Sequence, residues 1–206
     1  MRTAASDVTR QTTTPLEHTH LASTLRQARE LARNAVRGDI DLDPPYQRGQ
    51  VWTEDQRIAL VRSWLLGLPT GVVILSDRAH SAWTGPDPDA VGGAVWAVVD
   101  GKQRLSAAVA WFDDGFAVPA SWILPEMIDR TCDTDDGAYV YYSGLTVGGQ
   151  RWFTNRALFA VAEFRSAVTI RDEAEIYLLV NGGGTLQTQA DMQRAFDYAS
   201  GTDGGR

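Results

Sequence analysis

The sequence predicts one α+β domain built on a mixed sheet that is flanked by helices. Two apolar runs, residues 72–75 and 94–99, are typical of buried strands because they are continuously hydrophobic. A segment with helical apolar spacing precedes the first run, and another follows the second. Elsewhere the alternation of strands and helices is incomplete, which favours an α+β fold over a fully parallel α/β fold.

Length and composition indicate a folded domain with a buried core. The chain has 206 residues, of which 44% are hydrophobic and 22% are charged. No stretch approaches the roughly 20 apolar residues of a membrane span, and the N-terminus lacks the apolar segment of a secretory signal. Cys132 is the single cysteine, so no disulfide can form within the chain. These features predict a cytoplasmic protein with no membrane partner.

The predicted domain covers residues 19–199. It lies between a flexible polar arm at residues 1–18 and a tail at residues 200–206 that is expected to fray. Apolar residues at helical spacing predict a first helix over residues 19–37, and Gly38 is expected to close it.

The second helix has clear start and stop signals. Thr53 and Gln56 have the spacing of a capping box, and Gly67 marks the end of the helix. The glycines and prolines of residues 77–92 predict an exposed loop between the two buried strands. A third helix is expected to carry Leu105 and the apolar positions that follow it.

The C-terminal third has weaker patterns. Residues 139–145 and 148–153 are predicted to form a hairpin, and residues 167–170 a strand. Residues 173–180 have helical apolar spacing, and residues 181–185 form a predicted glycine-rich turn.

Charge is distributed unevenly along the chain. The net charge is −7, whereas a protein that binds any DNA duplex normally has a basic surface. Residues 1–37, however, carry six arginines against three acidic residues. The sequence therefore predicts that any DNA contact uses the arginine-rich N-terminal helix.

The most distinctive motif is Asp100-Gly101-Lys102-Gln103-Arg104, which contains the only lysine of the chain. It joins a predicted buried strand to a predicted helix, and a helix N-terminus suits anions, phosphate above all. Lys102 offers a point charge and Arg104 a planar fork for phosphate. Asp100 could hold Mg²⁺, orient Arg104 or act as a base. The alternative interpretation is a plain connection with polar residues at the helix start.

Two further motifs supply candidate binding residues. Tyr46, Gln47 and Arg48 follow a double proline that fixes the backbone, so their side chains are held at low entropic cost. Trp52 beside them could stack on a ligand. The three consecutive glycines within residues 181–185 would let backbone N–H groups approach an anion closely. A structural turn for the first motif and a helix C-cap for the second are the alternative interpretations.

In this order the three motifs resemble the DGQQR-motif domain found at the N-terminus of GmrSD-type restriction endonucleases. That family shows Pro-Tyr-Gln-Arg, then tryptophan and a helix ending near Gly-Tyr-Pro, then Asp-Gly-Gln-Gln-Arg-Leu, and last Asn-x-Gly-Gly-Thr-x-Leu. This chain matches over roughly residues 20–198. It differs at Lys102, where the family has glutamine. It also lacks the one residue that separates Thr from Leu in the family, because Thr185 and Leu186 are adjacent.

The resemblance implies a ParB/sulfiredoxin-like mixed sheet and a domain that binds and hydrolyses a nucleoside triphosphate and gates a nuclease. In the family the nuclease is usually a separate C-terminal HNH-type domain, and this sequence ends after the last family motif. We therefore expect a stand-alone version that acts in nucleic-acid processing or phage defence with a nuclease partner protein. The alternatives are a ParB-like DNA-binding or nicking module and a non-catalytic partner protein.

The resemblance implies that Asp100, Arg104 and Arg48 are the catalytic residues for hydrolysis of nucleoside triphosphate. Asp100 is also the expected ligand of Mg²⁺. The expected nucleotide and phosphate contacts are Tyr46, Gln47, Gly101, Lys102, Gln103, Asn181, Gly183 and Thr185. Because the family has glutamine at position 102, Lys102→Gln is expected to be tolerated, whereas Arg104→Ala is not.

Overall fold

A five-stranded mixed sheet lies at the centre of the computed structural model, which describes residues 21–47, 49, 51–85, 93–182 and 197. Its strands are β1 (Ala22–Gln27), β2 (Ile40–Asp41), β3 (Val72–Asp77), β4 (Trp96–Asp100) and β8 (Leu158–Phe164). Their spatial order is β1-β8-β3-β4-β2. Strands β3 and β8 pair in parallel, as do β2 and β4, while β1–β8 and β3–β4 are antiparallel.

Helices flank this sheet, and a second, small sheet lies beside it. The small sheet has the order β5-β7-β6. The predicted α+β class with a mixed sheet is therefore confirmed. The helices are α1 (Ala28–Arg37), α2 (Glu54–Leu66), α3 (Lys102–Phe112), α4 (Val147–Arg156) and α5 (Ile170–Gly182), and the small strands are β5 (Val118–Pro119), β6 (Cys132–Thr134) and β7 (Gly137–Val140).

The core has two parts, one on each face of the central sheet. Val98 and Val99 are neighbours on β4 but belong to different apolar clusters, as the alternation of a strand requires. Helices α1 to α4 pack on the Val98 face, where Trp64 and Trp111 are buried. Helix α5 packs on the Val99 face together with Tyr46.

The signals predicted around α2 are confirmed in detail. The Thr53 hydroxyl accepts a hydrogen bond from the Gln56 N–H, and the Gln56 side chain accepts one from the Thr53 N–H. Gly67 ends the helix in the left-handed conformation, with φ of 69°. Helix α2 therefore ends at a defined point before β3, and Val73 of β3 lies against Gly101 of the site described below.

The predicted helix over residues 19–37 is wrong in its first half. Residues 22–27 form strand β1, which pairs with β8 along its whole length, and the helix begins only at Ala28. The apolar spacing resembles a helix, but the backbone pairing offered by β8 determines the conformation. The arginine-rich helix is accordingly shorter than predicted, since Arg26 lies on β1 and Arg29, Arg33 and Arg37 lie on α1.

Two predictions in the C-terminal third are also wrong. The hairpin is formed by β6 and β7, while residues 147–156 form helix α4, which is capped by Thr146. Of the predicted strand at residues 167–170, residues 167–169 are irregular and Ile170 begins α5. The Thr169 and Asp172 side chains cap the start of α5 by bonding each other's backbone N–H. The strand nearest to this segment is β8, which ends at Phe164 and was not predicted.

Several sequence predictions lie outside the described residues. They concern the arm at residues 1–18, part of the loop at residues 77–92, the end of the glycine-rich turn, and the tail at residues 200–206. In the part of the chain that the structure describes, no helix is long and apolar enough to cross a bilayer.

Candidate functional site

A cavity of about 120 Å³, here called the β4–α3 cavity, opens where strand β4 ends and helix α3 begins. The structure brings to it residues from all three predicted motifs, which lie far apart in the sequence. The described lining residues are Gln47, Trp52, Asp100, Gly101, Lys102, Gln103, Arg104, Tyr177 and Asn181.

Gly101 forms the turn between the strand and the helix. It has φ of 93° and is the N-cap of α3. A Cβ at this position would lie 3.0 Å from Val73 Cγ2 and 3.1 Å from Val73 Cα. Glycine is therefore required both by the left-handed backbone and by its close approach to β3. The result is that the N-terminus of α3 lies directly at the cavity.

Arg104 ties the ends of β3 and β4 together at the cavity wall. Its Nη2 donates to Asp100 Oδ2 at 2.6 Å and to the Val72 carbonyl at 2.8 Å. The guanidinium packs on Gly71, where a Cβ would lie 2.7 Å from Nη1. The buried Nε has no hydrogen-bond partner among the described residues. The Nη2 atom of Arg104 is therefore occupied by Asp100 and Val72, and the arginine lines the cavity.

Gln103 holds the loop that carries Trp52. Its Oε1 accepts from the Val51 N–H at 3.0 Å and the Trp52 N–H at 3.2 Å, and its Nε2 donates to the Gly49 carbonyl at 3.0 Å. The side chain is only 8% exposed. Its predicted role as a phosphate contact remains a prediction, whereas the contacts that it makes position the loop.

Replacing Gln103 with leucine is therefore expected to weaken both the fold and ligand binding at the cavity. Leucine has no acceptor for the Val51 and Trp52 N–H groups, so we expect a loss of about 1–2 kcal/mol in unfolding free energy. Chemical denaturation measures the stability, and nucleotide titration measures the affinity. Gln150→Leu is the matched control, because the Gln150 amide bonds the Leu145 carbonyl and does not line the cavity. Equal affinity in both variants would contradict the positioning role.

Gln47 and Tyr46 have different positions relative to the cavity. Gln47 lines it, and its Nε2 donates to the carbonyls of Val98 and Val99 at 3.0 and 2.7 Å. Tyr46 is 1% exposed and lies behind the wall, where its hydroxyl donates to Glu173 Oε2 at 3.2 Å. Burial raises the pKa of Tyr46 well above its usual value, and the charge of Glu173 adds to this effect.

Lys102 lines the cavity and is only 6% exposed. Its Nζ forms an ion pair with Oδ1 of Asp43, whose side chain is 83% exposed. Asp43 belongs, together with Lys102, to the described lining of a neighbouring cavity and not to that of the β4–α3 cavity, so the ion pair holds the ammonium towards Asp43.

The end of helix α5 forms another wall. Asn181 lines the cavity and its Nδ2 donates to the Tyr177 carbonyl at 2.9 Å, within the helix. The predicted site residues Arg48, Gly183 and Thr185 lie outside the described residues.

A metal ion at this site would depend on Asp100. No group of three or more His, Cys, Asp or Glu side chains that could hold a metal occurs among the described residues. Asp100 is the one carboxylate in the described lining, and its Oδ2 is bonded to Arg104. Since Mg²⁺ is commonly held by one or two carboxylates together with substrate phosphates, Asp100 fits a Mg²⁺ ion that enters with a phosphate ligand.

Sequence reasoning missed the ionic cluster behind the cavity. Glu173 is fully buried and bonds Arg78, which also bonds Asp41. These residues are separated by up to 132 positions in the chain, so no local spacing announces them. The only sequence signal is that Glu173 lies four positions before Tyr177, on the same side of a helix.

Fold and cavity together define a class of protein: an α+β domain in which a glycine turn joins the mixed sheet to a helix that carries a lysine and an arginine in its first turn. A protein-family model described as the GmrSD restriction endonuclease, N-terminal domain, matches residues 29–196. The chain belongs to this family, as the motif resemblance predicts. No curated protein and no solved structure matches the chain.

Proposed function

We propose that this domain binds a nucleoside triphosphate through its phosphates in the β4–α3 cavity and acts in restriction or phage defence. The observation that carries the proposal is the convergence of Lys102, Arg104 and the N-terminus of α3 on one small cavity. The family supports the biological setting, because its description is that of a restriction endonuclease domain.

The chemistry of the cavity favours a phosphate group. The first N–H groups of an α-helix have no acceptor within the helix and carry a partial positive charge, which attracts anions. Lys102 and Arg104 bring two cationic residues to a described lining that has one carboxylate, Asp100, in a chain whose net charge is −7. Phosphate satisfies both kinds of donor at once.

The size of the cavity indicates which part of the nucleotide enters. A volume of about 120 Å³ is well below the roughly 300–1,000 Å³ of pockets that enclose a drug-sized ligand. The phosphates are expected to occupy the cavity, and the nucleoside to lie at its mouth. Trp52 lines the cavity and is partly exposed, so it offers an aromatic surface for the base.

Hydrolysis of the nucleotide is the enzymatic form of the proposal. Asp100 would hold Mg²⁺ or position the attacking water, and Arg104 and Arg48 would neutralise the charge that develops during phosphoryl transfer. When bound, Mg²⁺ would supply charge neutralisation for the phosphates. Asp100 is suitably placed at the end of β4, where Arg104 fixes one of its oxygens.

The enzymatic proposal is tested by hydrolysis of each nucleoside triphosphate with Mg²⁺. Wild type, Asp100→Ala and Arg104→Ala are compared at equal concentration, and both variants are expected to lose turnover. Equal turnover in all three would remove the enzymatic claim. Binding without turnover would leave a nucleotide sensor, which a melting-temperature shift detects because ligand at 100 times its Kd stabilises by about 2.7 kcal/mol.

DNA binding is a second candidate, favoured by the arginines of helix α1. Arg29, Arg33 and Arg37 are spaced four residues apart on one side of the helix, and the last two are exposed. Titrating duplex DNA at increasing salt is expected to give an affinity whose logarithm falls with log salt by about 0.9 per phosphate contact. Replacing Arg33 and Arg37 with glutamine should reduce that slope by about 2. No binding at low salt, or an unchanged slope, would eliminate this candidate.

A further inference from the structure

A buried ionic cluster lies behind the β4–α3 cavity. Glu173 is fully buried and its carboxylate accepts from Arg78 Nε at 2.9 Å and from Arg78 Nη2 at 2.6 Å. The Tyr46 hydroxyl donates to the same carboxylate at 3.2 Å. Arg78 is 4% exposed and its Nη1 donates to Asp41 Oδ2 at 2.9 Å. The carboxylate therefore joins helix α5 to the segment before Gln47 and to the end of β3.

The geometry of α5 connects this cluster to the cavity. Glu173, Tyr177 and Asn181 are spaced four residues apart and lie along one side of the helix. Tyr177 and Asn181 line the cavity, while Glu173 lies one turn before Tyr177 and two turns before Asn181, where it bonds Arg78. Fixing Glu173 therefore fixes the rotation and height of the helix where it forms the cavity wall.

The second wall is tied to the same carboxylate through Tyr46. Its neighbour Gln47 lines the cavity and bonds β4, and the Tyr46 ring packs on Tyr177 with centroids 5.6 Å apart. The hydroxyl bond to Glu173 adds a directional contact to this ring packing. One buried carboxylate thus contacts the elements that carry both walls.

The pKa shifts of the two donors, Arg78 and Tyr46, agree with this geometry. Burial lowers the pKa of Arg78, but its hydrogen bonds and charge interactions with Glu173 outweigh this, so the pKa is raised overall. The raised pKa of Tyr46 keeps its hydroxyl protonated as a donor at neutral pH. Arg78 and Tyr46 therefore both remain donors at neutral pH.

A buried ion pair is weak evidence for a purely stabilising role. Apolar residues of similar volume often replace a buried ion pair at no loss of stability, because desolvating two charges offsets much of their attraction. Ala174 and Phe164 belong to the apolar part of the core on this face of the sheet. Apolar packing of this kind lacks the directionality of a bidentate hydrogen bond between arginine and a carboxylate. What the ion pair adds is a fixed geometry.

We infer that Glu173 is a positioning residue, which holds helix α5 and the Tyr46–Gln47 segment in the relative position that the nucleotide requires. The inference rests on the proposed function. Glu173 itself does not line the cavity, so it acts through Tyr177, Asn181 and Gln47 and does not touch the ligand.

The test compares Glu173→Gln and Tyr46→Phe with a matched control on the same helix. The control is Glu175→Gln, because Glu175 is 54% exposed and pairs at 3.6 Å with the equally exposed Arg171. Binding of inorganic pyrophosphate and of ATP, GTP, CTP and UTP is measured by calorimetry at a temperature where circular dichroism shows every variant folded. Amide hydrogen exchange over residues 170–182 is followed with and without saturating ligand.

The two test variants are expected to bind roughly tenfold to a hundredfold more weakly than wild type, the loss that is typical when residues that orient the ligands of a metal site are removed. Exchange over residues 170–182 should be faster in both variants, and saturating ligand should restore protection. Glu175→Gln should match the wild type. Tyr46→Phe retains the Arg78–Glu173 pair, so it tests the connection even if Glu173→Gln fails to fold.

The outcomes separate the inference from the function on which it rests. If wild type binds a probe and the folded test variants bind it equally well, Glu173 is only a structural residue and the inference is overturned. If wild type binds none of the probes, the proposed function fails and the inference fails with it.

Discussion

Replacing Arg104 with alanine is expected to reduce nucleotide binding by roughly a hundredfold and to remove any hydrolysis, because the loss of a charge paired with phosphate typically has an effect of this size. The substitution also removes the bonds to Asp100 and to the Val72 carbonyl, which connect the ends of β3 and β4. Asp100 would then face the phosphates as an unpaired negative charge. We expect an additional loss of about 1–3 kcal/mol in unfolding free energy.

Calorimetric titration and chemical denaturation measure the two effects of Arg104→Ala separately. Arg171→Ala is the matched control, because Arg171 also lies in the first turn of a helix and pairs with a carboxylate four residues away, but is 58% exposed. The control is expected to leave binding unchanged. If Arg104→Ala binds nucleotide as tightly as the control, the phosphates do not bind where we place them.

The substitution Gly101→Ala is expected to destabilise the fold by about 2–4 kcal/mol, since a left-handed non-glycine residue and an overpacked core each cost about 1–3 kcal/mol. Both apply here, because φ is 93° and the new Cβ would lie 3.0 to 3.1 Å from Val73. The same Cβ would lie 3.2 Å from Arg104 Nη2, so the guanidinium would also be displaced. Binding should therefore fall along with stability.

Gly67→Ala isolates the backbone contribution to this effect. Gly67 has φ of 69° and no atom lies within 4 Å of a Cβ built there, so alanine introduces strain without a clash. We expect a smaller loss, of about 1–2 kcal/mol. Thermal or urea unfolding of both variants gives the difference. Equal losses would mean that the contact between Gly101 and Val73 is not tight in solution.

Elements with local signals were predicted well. Helix α2 has both its capping residues and its final glycine within the sequence, and strands β3 and β4 are continuous apolar runs. The turn from β4 through Gly101 into α3 follows from a single glycine between a strand pattern and a helix pattern. In these segments local preference and tertiary packing agree, so the sequence is sufficient.

Elements determined by distant partners were not predicted. Strand β1 takes its conformation from pairing with β8, more than a hundred residues later, although Leu25 and the apolar residues on either side of β1 have helical spacing. The start of α5 does have a local signal, the Thr169 and Asp172 box, but the apolar residues before it suggest a strand. Recognising this capping box would have corrected the predicted strand at residues 167–170 and the predicted helix start at residue 173.

The site shows the same division. The convergence of the motifs follows from the resemblance, and the described members Gln47, Asp100, Arg104 and Asn181 do line one cavity. The sequence does not reveal that the Gln103 amide holds the Trp52 loop, or that Tyr46 faces Glu173 behind the wall. Such assignments depend on which neighbour each side chain meets in the folded chain.

The central claim is that the β4–α3 cavity binds nucleoside triphosphate, and calorimetric titration of the wild-type chain tests it most directly. ATP, GTP, CTP and UTP are each added with Mg²⁺ at low ionic strength, where attraction between the cations and phosphate is least screened. We predict saturable binding of at least one nucleotide that Arg104→Ala removes and Arg171→Ala retains. No binding of any nucleotide by the folded wild-type chain, or binding that Arg104→Ala leaves intact, would contradict the account.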